Sequence, residues 1–90
     1  MKIETTRRFD RQYAKLVRAN PDIRPAVLKT LTLLERFPPA HPSLRFKRVR
    51  GTDGLYECSV NMDIRITLEF VGNDTFLLRN IDHHDPAFRR

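Results

Sequence analysis

Cysteine is almost missing from this chain: Cys58 is the only one in 90 residues, so no disulfide can close within it and the sequence suits a reducing compartment. A catalytic thiol would need a base brought beside it by the fold, and a lone cysteine among strand residues is more commonly a small buried hydrophobe. No apolar run approaches membrane-spanning length, and the opening Met1–Thr6 lacks the apolar core of a secretory leader, so the expected location is the cytoplasm. Repeats, low-complexity tracts and linkers are absent as well. Ninety residues give one domain with a modest core and leave no room for a second. Acidic residues are the scarcer charge, 11 against 17 lysines and arginines for a net charge of +6. That balance favours a polyanionic partner: nucleic acid, an acidic protein or an anionic membrane surface.

The residues present spell two helices and then a series of strands. Lys2–Thr6 is short and β-branched, and Thr5 or Thr6 can cap a helix beginning directly after it. Phe9, Tyr13, Leu16 and Val17 then recur at helical spacing among Arg7, Arg8, Arg11, Lys15 and Arg18, until Asn20-Pro21 stops the helix. Asn20 or Asp22 caps a second helix whose first turn tolerates Pro21 and Pro25, with Ile23, Val27, Leu31 and Leu34 as its stripe. Phe37-Pro38-Pro39 ends it, and a loop through His41-Pro42-Ser43 leads into strand. So short a connection predicts an antiparallel helical hairpin.

From Leu44 the period changes to two. Leu44 and Phe46 alternate with Arg45 and Lys47, and the basic run continues to Arg48 and Arg50. Turns are predicted at Gly51–Gly54, at Asn61–Asp63 and at Gly72–Asp74. Between them lie Leu55–Val60, with Tyr56, Cys58 and Val60 on one face, then a central strand where Ile64, Ile66, Leu68 and Phe70 alternate with Arg65, Thr67 and Glu69, and a last strand Thr75–Ile81. The predicted fold is α+β: an N-terminal strand, then the helical hairpin packed on a four-stranded, mainly antiparallel sheet. Arg45, Lys47, Glu57, Ser59, Arg65, Thr67 and Glu69 should face away from the helices, forming a polar, partly cationic surface suited to a nucleic-acid backbone.

The chain ends in Asp82-His83-His84-Asp85, followed by Pro86 and Phe88, and here protons can move near neutral pH. Metal-free scission of RNA needs a base for the 2′-hydroxyl, cations for the phosphorane-like transition state and an acid for the leaving oxygen. His84 can supply the acid. Asp63 can act as base or orient an imidazole, and Arg65 and Lys47 can hold the phosphate. Phe88 can stack on a base. Each has a plainer alternative. The two histidines can bond backbone carbonyls in a turn, Asp63 can cap a turn, Arg65 can pair with Glu57 or Glu69, Phe88 can plug the core, and His41 reads as a loop residue. Zinc is disfavoured at Asp82–Asp85, because adjacent ligands strain a tetrahedral shell.

Three stretches together, Leu44-Arg-Phe-Lys-Arg-Val-Arg-Gly51, Tyr56-Glu-Cys-Ser-Val-Asn-Met-Asp-Ile-Arg-Ile66 and Ile81-Asp-His-His-Asp-Pro-Ala-Phe88, resemble the RelE/ParE superfamily of toxins from type II toxin–antitoxin modules. Within it the chain looks most like the YafQ-like mRNA interferases. The resemblance spans nearly the whole chain. It implies a ribosome-dependent endoribonuclease that cuts mRNA without a cofactor, a cognate antitoxin as partner, and operator DNA reached through that antitoxin. It also implies His84, Asp63, Arg65 and Lys47 as catalytic residues, with Arg45, Arg48, Arg50, Arg79 and Phe88 contacting RNA. Lys47 and Ser59 stand where the YafQ-like pattern often has histidine, which leaves the base unassigned. A ParE-like inhibitor of DNA gyrase and a non-catalytic basic RNA-binding module are the competing functions.

Overall fold

The structure is a computed structural model, and it describes residues 1–36 and 44–83. The loop expected through His41-Pro42-Ser43, the helix stop at Phe37–Pro39 and the ending from His84 to Phe88 lie outside the described residues. A strand β1 (Lys2–Thr5) leads into helix α1 (Arg7–Ala19) and helix α2 (Ile23–Glu35). Four strands come next: β2 (Lys47–Arg48), β3 (Leu55–Ser59), β4 (Ile64–Val71) and β5 (Thr75–His83). They form one five-stranded sheet with β1, in the order β1-β5-β4-β3-β2.

The N-terminal strand therefore joins the sheet, making five strands where a four-stranded sheet was expected. It lies parallel to β5, with Ile3 opposite Phe76 and Thr5 opposite Leu78, while every other pairing is antiparallel. Parallel neighbours need a long crossover, and the helical hairpin with the β2–β4 meander provides one.

Thr6 fixes where α1 begins. Its hydroxyl accepts the Phe9 amide at 3.1 Å, satisfying a donor that has no partner within the helix. The same Oγ1 donates to the Arg79 carbonyl at 3.1 Å, so one side chain ties α1 to β5. At the other end the Asn20 amide closes on the Leu16 carbonyl, and the Asn20 side chain accepts the Asp22 amide. Pro25 sits in the first turn of α2, where a missing amide costs nothing, whereas Pro21 precedes the helix.

The core lies between the helices and one face of the sheet. Phe9, Val27 and Leu34 from the helices meet Leu44, Cys58, Ile64, Ile66, Leu68, Phe76, Leu78 and Ile81. Along β4 the strict alternation of isoleucine and leucine with Arg65, Thr67 and Glu69 puts the apolar set on the helices and the polar set on the opposite, open face. β5 obeys a different rule. Its core residues are Phe76, Leu78 and Ile81, and the gap of three between the last two breaks the two-residue period. A bulge absorbs it: Leu68 pairs with Leu78 but Thr67 pairs with Asn80, leaving Arg79 as the extra residue.

An aromatic cluster holds the short edge strand. Phe46 stacks on Tyr56 at 5.3 Å, Tyr56 meets Phe70 edge-on at 5.5 Å, and Phe70 lies 4.8 Å from Phe76. Such pairs contribute about 0.5–1.5 kcal/mol each beyond area burial. With Phe46 held inward, the next residue, Lys47, is directed to the open face.

Candidate functional site

Strand register lays the open face out in rows. Ser59, Arg65 and Asp82 stand side by side across β3, β4 and β5. The next row holds Lys47, Glu57, Thr67 and Asn80, and beyond it lie Leu55, Glu69, Leu77 and Glu4. Direct cross-strand neighbours place their Cβ atoms about 4.5–5.5 Å apart, close enough for charges to act on one another.

Arg65 is the centre of the first row. Its Nη1 donates to the Ser59 hydroxyl, and the side chain is half-buried against the sheet. Asp82 is its neighbour on the other side, with Oδ1 accepting the His83 amide at 2.7 Å. A guanidinium restrained in this way holds one orientation on the open face, and its planar fork has the geometry that suits a phosphate. In the second row Lys47 Nζ lies 3.4 Å from the Glu57 carboxylate, and Glu57 keeps only 16% of its side chain exposed. The expected facing of Lys47, Glu57, Ser59, Arg65, Thr67 and Glu69 away from the helices is what the register gives.

The other residues singled out in the sequence lie around this centre at varying distance. Asp63 is exposed at the tip of the β3–β4 hairpin, two residues before Arg65. The turn there is capped by Asn61, whose Oδ1 accepts the amides of both Asp63 and Ile64 at 2.8 Å, leaving the Asp63 carboxylate out of the capping. Arg79, the bulge residue, bonds the Glu69 carboxylate at 3.2 Å on the open side. Arg48 alternates away from Lys47: it pairs with Tyr56, whose ring faces inward, and its guanidinium reaches the Thr52 carbonyl at 3.4 Å. Arg50 is exposed in the turn after β2. Arg45 is exposed just before β2 with φ 47, a left-handed conformation that interrupts the strand pattern. His84 and Phe88 lie outside the described residues.

The open face was expected to be polar with cationic groups. On its strand rows Lys47, Arg65 and Arg79 have Glu57, Asp82 and Glu69 as neighbours, so among the described residues these rows carry no excess of positive charge. Cys58, directly behind this face, is fully buried, and burial pushes its thiol from 9.0 up to about 12, with the Glu57 charge adding and Arg65 opposing. It is a thiol at neutral pH and cannot serve as a nucleophile. Among the described residues no three His, Cys, Asp or Glu side chains come together as metal ligands.

Two contributors were not singled out by function in the sequence. Asp82 becomes the partner of Arg65 only because the bulge shifts β5 by one residue. Gln12 on α1 accepts the Ile81 amide through Oε1 at 3.0 Å, holding the stretch of β5 that bears Asp82. Its signal is faint, a polar residue at the margin of an apolar helix stripe.

No protein-family model matches the sequence, and no curated protein does. Solved structures match over their whole length. A metal-bound toxin from Helicobacter pylori superposes with TM-score 0.81 at 22% identity, covering 98% of this chain and 99% of that one. The YoeB/ParE toxin from Agrobacterium tumefaciens gives TM-score 0.79 at 15% identity, covering 94% and 100%. The toxin of the E. coli DinJ–YafQ toxin–antitoxin complex gives 0.78 at 16%, covering 97% and 96%. At these identities the shared property is the fold.

Proposed function

We propose that this chain, which has the fold of the RelE/ParE superfamily toxins, is the toxin of a type II toxin–antitoxin module and a ribosome-dependent endoribonuclease that cleaves mRNA. The observation that carries the reading is the Ser59–Arg65–Asp82 row: a restrained guanidinium on the polar face of the central strand, beside the strand that runs on to His84. In this reading His84, two positions after Asp82 and so at most about 7.6 Å of chain away from it, brings its imidazole to that guanidinium.

In this scheme Arg65 and Lys47 bind the scissile phosphate and stabilise the charge that builds on it. His84 gives a proton to the leaving 5′-oxygen, and Asp63 takes the 2′-hydroxyl proton or orients the imidazole that does. Asp82 and Glu57 hold the two cations in place. Arg45, Arg50 and Arg79 steer the RNA strand, and Phe88 stacks on a base. Arg48, on the other side of β2, has the weakest claim to contact. The cognate antitoxin is the protein partner, as DinJ is for YafQ in the solved complex, with operator DNA reached through it. The ribosome and its mRNA are the targets, and the cytoplasm is the compartment. Among the described residues no helix is long and apolar enough to cross a membrane.

The test is to map mRNA 5′ ends after brief expression of the wild type, His84→Ala, Arg65→Ala and Arg65→Lys. Cuts confined to translated reading frames, lost in both alanine variants and partly kept in Arg65→Lys, are expected. Growth arrest with undiminished translation and DNA-damage signalling would replace the nuclease by a gyrase inhibitor. RNA binding without cuts would leave a binding module.

A further inference from the structure

The excess positive charge of the described structure is concentrated on the outer side of α1. Arg7, Arg8, Arg11, Lys15 and Arg18 are all exposed. At 3.6 residues per turn all five project within an arc of about 100°. That arc contains no acid: Asp10 lies outside it, and the buried stripe centred on Phe9, Tyr13 and Leu16 lies on the opposite side of the helix. Among the described residues none of the five takes part in an ion pair. On the open sheet face, by contrast, Lys47 pairs with Glu57 and Arg79 with Glu69, and Asp82 stands beside Arg65 in the register. The ridge runs about 16 Å from Arg7 to Arg18, and because α1 covers the core-facing side of the sheet, the ridge and the Arg65 row point to opposite sides of the molecule.

We propose that this ridge is a second nucleic-acid surface, one that grips the phosphate backbone of an RNA by charge alone and leaves the sheet face free for a different strand. Four of the five cations are arginine, whose planar fork suits phosphate oxygens. The arc holds no large apolar side chain, and a protein partner needs such a centre to anchor it. Nucleic-acid interfaces are instead polar and strongly positive. Arg7 with Arg11 and Arg11 with Lys15 also set like charges one helical turn apart, which a helix selected for stability alone would avoid.

Binding at the ridge is independent of cleavage at the sheet face, so it can be measured with an RNA that cannot be cut. The probe is a short fluorescein-labelled hairpin of 2′-O-methyl RNA, blocked at its 2′ positions and titrated at several salt concentrations. Each phosphate contact contributes about 0.7–0.9 to the slope of log affinity against log salt. The triple variant Arg11→Gln, Lys15→Gln, Arg18→Gln should lose about 2–3 from that slope, Arg11→Lys with Arg18→Lys should lose none, and Arg65→Ala at most about one. An unchanged slope in the triple variant overturns the proposal. So does displacement of the hairpin by polyglutamate at equal charge concentration, which would make the ridge a site for an acidic protein.

Discussion

Replacing Gln12 by alanine should loosen one end of one strand and little else. β1 pairs with β5 only as far as Thr5 opposite Leu78, because the chain then turns into α1. Beyond that point the outer edge of β5 has no neighbouring strand among the described residues, and α1 supplies side chains in its place: Thr6 for the Arg79 carbonyl and Gln12 for the Ile81 amide. The Gln12 bond is 3.0 Å long and partly buried. Removing the acceptor forfeits a net hydrogen bond and strands a donor, together about 1–3 kcal/mol. If opening is local, that is about a 5- to 150-fold gain in exchange rate at the Ile81 amide. Amide hydrogen exchange at successive residues reads it directly. Ile81 to His83 should lose protection while Ile64 to Leu68 in the centre of the sheet keep theirs, and Gln12→Glu, which keeps an acceptor, should restore protection. A uniform rise across all amides, or none at Ile81, would refute the view that α1 acts as a substitute strand for this edge.

Other perturbations separate packing, capping and titration. Ile66→Ala empties a fully buried site on the central strand and should cost about 2–5 kcal/mol, measured as a lowered urea midpoint at unchanged slope. Thr6→Ala loses both the α1 cap and the bond to the Arg79 carbonyl, for about 1.5–3 kcal/mol in thermal or urea unfolding, whereas Thr6→Ser should recover most of it. Cys58 should resist alkylation in the native state at pH 8 and react only on unfolding. Because burial raises its pKa from 9.0 to about 12, the unfolded chain binds fewer protons between those values. Its contribution to stability is therefore full below pH 9 and falls as pH rises, by at most about 1.4 kcal/mol per pH unit. A Cys58→Ala variant with the same alkaline decline would assign that decline to other groups.

The helices were the most legible part of the sequence, since a 3.6-residue period, a threonine cap and Asn20-Pro21 are all local signals, and they account for the boundaries of Arg7–Ala19 and for the break before Ile23–Glu35. The alternation along β4 was equally plain. Which strand Lys2–Thr5 would join was not, because its partner lies seventy-odd residues away and parallel pairing leaves no hairpin turn between the two. At the site, the closeness of Ser59 and Arg65 comes from counting outward from the Asn61–Asp63 turn. The neighbouring position of Asp82 does not come from counting outward from Gly72–Asp74, which would put Ile81 opposite Arg65. The spacing of Phe76, Leu78 and Ile81 carried the missing correction. Composition correctly gave an excess of positive charge but not its location, because the acids that offset Lys47, Arg65 and Arg79 are remote in sequence and near only across strands.

That one supernumerary residue, Arg79, works as a parity inverter. Upstream of it the even-numbered Phe76 and Leu78 point inward and Leu77 toward the open face; downstream the odd-numbered Ile81 is sealed in and the even-numbered Asp82 looks out. Deleting Arg79 would leave Leu78, Asn80, Ile81 and Asp82 in strict two-residue alternation, so Asn80 would still face Thr67 and Asp82 would still stand beside Arg65, with no bulge between them. What the extra residue adds is its own guanidinium, placed on the displayed side where it meets Glu69, and a single-codon deletion there would remove that cation while keeping the rest of the display.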